Sequence, residues 1–145
     1  MKRQVFGKEI SLQAAAFTLR YQVFVLEQNI PAHLEFDEID AKSPPYFVIF
    51  DDCLPIATIR YQADEKQPDL IRPDRFCVAK EYRRKGIGRQ LLTDYERQGK
   101  KDGYKGSILS AEWSAKAFYE KLGYQAFGKS FLEDGIKCVN MQKDF

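Results

Sequence analysis

The residues best placed to do chemistry surround a pair of glycines: Cys77-Val78-Ala79-Lys80-Glu81-Tyr82-Arg83-Arg84-Lys85-Gly86-Ile87-Gly88-Arg89. A β-type run at 75–79 feeds this basic turn. A helical pattern leaves it, with Ile87, Leu91, Leu92 and Tyr95 on one face. Such a turn binds anions. The first N–H groups of a helix lack a partner within it, and the helix dipole places partial positive charge there. Glycines at 86 and 88 let a phosphate reach the backbone without meeting a Cβ. Arg83, Arg84, Lys85 and Arg89 add longer-range attraction. The expected ligand is a multiply charged phosphate compound, a pyrophosphate in particular. A dinucleotide-binding turn needs a small residue where this chain has Leu91, and a Walker A loop needs Gly-Lys-Ser/Thr where it has Gly86-Ile87. Both of those loops are excluded.

Other reactive side chains are sparse. Glu35, Asp37, Glu38 and Asp40 crowd together and would attract a cation such as an amine; a solvated loop face is the competing reading. Glu27, Asp40 and Glu112 are candidate general bases, each equally readable as a solvated or structural carboxylate. His33 is the single histidine, so no metal is expected, and a catalytic triad would have to use His33 itself. Three scattered cysteines fit reduced thiols rather than a disulfide framework. Cys77, in a strand with no histidine beside it, reads as a small hydrophobe rather than a nucleophile.

These residues need a scaffold, and 145 residues with 44% hydrophobic and 30% charged content suffice for one globular domain, 1–145. The net charge of +2 argues against a dedicated nucleic-acid binder. No apolar run approaches a membrane span, and Met1-Lys2-Arg3-Gln4 leads into no signal-type segment, so a cytoplasmic protein is expected. A short strand at 4–6 precedes a long helix capped by Ser11 and limited by Pro31, with Leu12, Ala15, Leu19, Val23 and Leu26 on one face. Residues 31–45 read as a polar, acidic stretch. Tyr46 to Phe50 and Ile56 to Tyr61 form a hairpin around Asp51-Asp52, and a polar loop follows over 63–69. The helix opening at Gly86 runs to about Gln98 and ends at Gly99 and Asp102-Gly103. A strand at 107–109, a helix at 114–122 and a closing hairpin around Asp134-Gly135 complete the chain. A strand–helix–strand crossover thus sits within an otherwise antiparallel pattern, an α+β fold whose mixed sheet is covered by helices.

Arg83-Arg84-Lys85-Gly86-Ile87-Gly88, after a strand and before an amphipathic helix, resembles the pyrophosphate turn of the GNAT family of N-acetyltransferases. Ser114 to Tyr124, with Phe118-Tyr119 and Gly123, resembles that family's later helix. Leu19-Arg20, Val23-Phe24-Val25, Glu27-Gln28, Pro31, Glu35, Asp37 and Asp40 are similar to its ElaA/YjcF-like branch. Together the three segments span most of the chain. The resemblance implies a central, twisted, mostly antiparallel sheet of about six or seven strands flanked by about four helices. It implies acetyl-CoA as co-substrate, bound by Arg83 to Arg89 and Phe118. It also implies a backbone N–H at Cys77, Val78 or Ala79 for the developing oxyanion, and Tyr119 beside the cofactor sulfur as the acid. Glu112 departs from the amide side chain many members carry there; a carboxylate accepts but cannot donate.

The expected activity is acetyl transfer to a primary amine of a small molecule or peptide by direct attack in a ternary complex. The acceptor is unspecified, Glu35, Asp37 and Asp40 are candidates to attract it, and a homodimer is left open. One rival is a non-catalytic acyl-CoA-binding module of the same fold. The other is nucleic-acid association through the 83–89 cluster.

Overall fold

Tyr46-Phe47-Val48-Ile49 and Ile56-Ala57-Thr58-Ile59 are buried residue after residue rather than alternately, so both faces of these strands are covered. They form β2 (Tyr46–Asp51) and β3 (Leu54–Arg60), an antiparallel hairpin whose turn residue Asp52 takes a φ of +54°. The computed structural model describes residues 1–145. The chain divides into two compact units, Met1–Gln62 with Asp74–Tyr95, and Ala63–Pro73 with Glu96–Phe145.

In the first unit β1 (Lys2–Gly7), β2, β3 and β5 (Asp74–Val78) pair antiparallel in that order, leaving β5 at one edge. The helix α1 (Ile10–Arg20) lays Leu12, Ala16 and Leu19 into the core. Its N-cap is Glu9, with no side-chain cap; Ser11, the expected cap, sits inside the first turn. Beyond Arg20 the chain widens into a π-helical segment, Tyr21–Glu27, where the Gln28 N–H reaches back five residues to the Val23 carbonyl. Widening changes which residues share a face. Val23 stays buried, while Leu26, which continues the α-helical spacing, is 65% exposed. Two short helices, α2 (Ala32–Glu35) and α3 (Glu38–Ala41), occupy the stretch that reads as polar and acidic. Asp37 caps α3 through a reciprocal capping box with Asp40.

The helix α4 (Ile87–Lys101) buries Ile87, Leu91, Leu92 and Tyr95, the face its spacing marks. It does not stop at Gly99. A Cβ there would lie 2.7 Å from Ile71 Cδ1, so this glycine serves close packing. The helix ends before Gly103, which takes the left-handed φ of +92° that favours glycine after a helix.

The second unit holds a sheet in the order β4 (Leu70–Ile71), β6 (Gly106–Glu112), β8 (Ile136–Asp144) and β7 (Gln125–Glu133). β4 runs parallel to β6, and the other pairings are antiparallel. Asp134 and Gly135 both adopt positive φ, the tight hairpin turn their sequence signals. A 3₁₀ turn at Trp113–Ala115 leads into α5 (Lys116–Lys121), and Gly123, with φ +95°, ends that helix. The fold is the expected mixed, mostly antiparallel α+β architecture, with its eight strands in two four-stranded sheets rather than six or seven in one. No helix is long and apolar enough to cross a membrane.

Candidate active site

The turn between β5 and α4 has the backbone its glycines require. After a 3₁₀ turn at Lys80–Tyr82, Arg83 is extended, Arg84 takes a φ of +63° and Gly86 a φ of +80°. A Cβ on Gly86 would meet nothing within 4 Å, so conformation rather than crowding demands glycine, and the position faces open space. The first α-helical bond of α4 runs from Gln90 N–H to the Gly86 carbonyl at 3.1 Å. Helix geometry therefore leaves the Ile87, Gly88 and Arg89 N–H groups without an intrahelical acceptor. Arg84, Lys85 and Arg89 are exposed around them, and Ile87 is buried as the anchor of the first turn. The Tyr82 hydroxyl donates to Asp51 at 2.8 Å and ties the turn to β2.

Arg83 is not a free cation in this cluster. Its Nη1 and Nη2 donate to both Glu27 oxygens at 2.6 and 2.8 Å, and its Nε donates to the Val78 carbonyl at 2.9 Å. The same bidentate pair corrects the reading of Glu27 as a base. The Arg83 hydrogen bonds hold its carboxyl below the usual range, which weakens it as a proton acceptor.

The three candidate oxyanion donors now separate. The Ala79 N–H already donates to the Ile56 carbonyl at 2.8 Å, so Ala79 is removed as a donor. Alternation along an antiparallel strand turns Cys77, opposite Thr58, the same way. Val78 lies between them, and its N–H and C=O point to the free edge of β5. Cys77 is buried, and burial pushes its thiol up to about 12, which leaves no thiolate for covalent catalysis.

Glu35 and Asp40 are buried and do not present their charge to solvent, which corrects their reading as amine-attracting groups; Asp37, 30% exposed, is paired with Arg60 and Arg75, and only Glu38 of the stretch is exposed. Arg20, fully buried, donates from Nε to Glu35 at 2.8 Å, from Nη1 and Nη2 to the two Asp40 oxygens at 2.7 and 2.8 Å, and from Nη2 to the Glu35 carbonyl at 2.8 Å. Arg60, also fully buried, bridges Asp37, Asp40 and Asp74 at 2.8–3.0 Å. Arg75, held at a φ of +52°, reaches Asp37 and Asp74 at 3.2 Å. The Tyr46 hydroxyl donates to Asp40. Burial pushes Glu35 up, whereas Asp40 ends well below the ordinary range because the hydrogen bonds from Arg20 and Tyr46 outweigh its burial. Asp40 is thereby removed as a base as well. The sequence pattern missed Arg20 and Arg60, although an arginine on the apolar face of a helix and another ending a hydrophobic strand mark buried charges that need partners.

The second unit positions the remaining candidates. Tyr119 is half-buried on α5, its ring edge-on to Phe118 at 5.1 Å and to Tyr124 at 5.7 Å between centroids. Its carbonyl accepts from the Leu122 and Tyr124 N–H groups at 3.0 Å, which fixes the end of α5. Tyr124 is pinned in turn. Its hydroxyl donates to Glu96 at 2.9 Å and shares a bond with the Ser107 hydroxyl at 2.8 Å. Glu112, the last residue of β6, is exposed. Beside it Trp113 carries the ammonium of Lys137 over its ring at 3.9 Å, a contact the sequence pattern did not signal. Glu27, Arg83 and Val78 are thus brought together in the first unit, whereas Glu112, Phe118 and Tyr119 belong to the second.

Residues 9–145 match the sequence profile of the acetyltransferase (GNAT) domain. The chain is 36% identical over 143 residues to the uncharacterised N-acetyltransferase YjcF of Bacillus subtilis strain 168, covering 98% of this chain and 99% of that one. It is similar to the crystal structure of a Lactobacillus plantarum protein proposed as an N-acetyltransferase, with a TM-score of 0.93, 35% identity and coverage of 99% and 97%. An acyl-CoA N-acyltransferase from Pseudomonas aeruginosa shares the fold, with a TM-score of 0.84 at 22% identity and coverage of 99% of both chains.

Proposed function

Because this chain belongs to the GNAT acetyltransferase family, we propose that residues 1–145 act as one domain moving the acetyl group of acetyl-CoA to a primary amine of a small molecule or peptide. The observation that carries this is the turn at Arg84 and Gly86, whose two positive φ values open the N-terminus of α4 toward space. A diphosphate fits there on the Ile87, Gly88 and Arg89 N–H groups, with Arg84, Lys85 and Arg89 supplying the counter-charge. Acetyl-CoA would bring an acetyl group activated as a thioester.

The chain's own groups then have three tasks. The Val78 N–H, on the free edge of β5, donates to the acetyl oxygen as negative charge grows there; one such donor accounts for ~3 kcal/mol of barrier. Tyr119 delivers a proton to the departing sulfur, and Phe118 packs against its ring. The amine must arrive without its proton, since an ammonium has no lone pair. Glu112, exposed at the end of β6, is the carboxylate assigned to that proton, directly or through water. Cys77, buried and with its thiol pushed up by burial, is a poor acyl carrier, which supports direct attack in a ternary complex.

A second reading, a non-catalytic acyl-CoA-binding module, is favoured by one observation: arginines occupy both Glu27 and Asp40, so two of the three candidate bases are withdrawn. Calorimetric titration with acetyl-CoA, followed by thiol-release assays across an amine panel, separates the two. Amine-dependent thiol release with intersecting initial-velocity lines supports the transferase. Tight binding with no release from any amine supports the module, and no binding refutes both.

A further inference from the structure

The Glu27–Arg83 pair is more specific than its surroundings require. Both side chains are about one-third exposed, at 35% and 36%, and exposed ion pairs contribute little to stability. Yet the guanidinium is fixed from both sides, by the two Glu27 oxygens and by the Val78 carbonyl at 2.9 Å. Glu27 reaches this turn from 56 residues away in the chain. Glu27 ends the π-helical segment, Arg83 opens the phosphate turn, and Val78 ends β5. The widening that turns Leu26 to solvent ends on the residue that grips Arg83. Val78's carbonyl and N–H lie on the same edge of the strand, so whatever holds the one orients the peptide beside the other.

We propose that Glu27 is a positioning residue: it seats the Arg83 guanidinium on the Val78 carbonyl and so fixes the strand end whose N–H meets the acetyl oxygen. This rests on the acetyl-transfer reading and deepens it. Glu27 takes no proton from the amine. A carboxylate that already accepts two hydrogen bonds from a guanidinium, with Lys80 as a further nearby cation, has little basicity to offer. Arg83, its charge matched by Glu27, leaves phosphate attraction to Arg84, Lys85 and Arg89. An ordinary surface ion pair would be silent in kinetics, and a general base would be visible in the pH profile. A positioning residue differs from both.

The test measures thiol release for the wild type, Glu27→Gln, Arg83→Lys and the double variant. Glutamine keeps one acceptor and cannot serve as a base; lysine keeps the charge and loses the fork. For Glu27→Gln the expected result is a kcat lower by about tenfold, less than the loss of a whole oxyanion donor. The KM for acetyl-CoA should stay within about twofold, and the acid limb of the kcat profile should keep its midpoint. Arg83→Lys should lose as much, and the double variant no more than the worse single, since all three disrupt one relay. Melting curves of the variants should overlie the wild type, as the pair is exposed. Full kcat in Glu27→Gln, a vanished acid limb, or multiplicative losses in the double variant would each overturn the assignment. Wild-type protein that neither binds acetyl-CoA nor releases thiol would instead refute the acetyl-transfer reading itself.

Discussion

Replacing Asp40 by asparagine tests whether the acidic stretch is scaffold or substrate site. The side chain is 7% exposed and accepts from Arg20, Arg60 and Tyr46. Asparagine keeps the shape but removes the charge and turns one acceptor into a donor facing buried guanidinium groups. Breaking a buried pair by removing one partner costs about 3–5 kcal/mol, and the lower end applies because asparagine retains one acceptor oxygen. At about 2.1 cal/mol/K per residue, the unfolding entropy of a 145-residue chain is about 0.3 kcal/mol/K, so the melting temperature should fall by about 10 °C. Glu38→Gln, on an exposed neighbour, should change it by less than ~2 °C. Asp40's folded pKa lies below its unfolded value, so its contribution is present above pH ~4 and is lost as the pH falls. Glu35, shifted the other way by burial, opposes this, favouring the fold at low pH and weakening that contribution as the pH rises. Asp40→Asn should therefore flatten the loss of stability between about pH 4 and 2. Calorimetric melting of both variants across pH measures this. An Asp40→Asn protein that melts like the wild type but shows a raised KM for the amine would refute the scaffold assignment.

Tyr119→Phe should lower kcat by about tenfold or more while leaving acetyl-CoA affinity unchanged, read by thiol release and calorimetry. Cys77→Ala should keep kcat within about twofold and cost about 1 kcal/mol of stability for the lost buried volume, since the thiol is not a nucleophile. Joint replacement of Arg84, Lys85 and Arg89 by alanine should weaken coenzyme A binding and flatten its dependence on salt, measured by titration at several ionic strengths. Gly86→Glu should abolish binding in a protein that still melts cooperatively, because it strains a backbone held at φ +80° and places a carboxylate beside the phosphates; unchanged affinity in that variant would exclude the turn as the site.

The elements legible from sequence are those whose information is local. The β2–β3 hairpin, the buried face of α4 and the Asp134-Gly135 turn each follow from periodicity or turn chemistry within a dozen residues. The turn at Arg84 and Gly86, as a backbone conformation, was legible for the same reason. What was not legible depends on distant partners. α2 and α3 are four residues each, too short to show a period, and are held by capping and by Arg20, Arg60 and Arg75 from other elements. The two-residue β4 is a strand only because β6 pairs with it. Gly99 reads as a stop until the Ile71 side chain is seen where a Cβ would go. Glu27 reads as an available carboxylate until Arg83, 56 residues on, takes both its oxygens. No pattern in Tyr21–Glu27 announces a π-helix, so the face of Leu26 was misassigned.

The most direct measurement is an amide-resolved NMR titration with coenzyme A. If the start of α4 grips the diphosphate, the N–H resonances of Ile87, Gly88 and Arg89 should move furthest and saturate together with the calorimetric binding curve. Saturable binding that leaves those three resonances in place would contradict it.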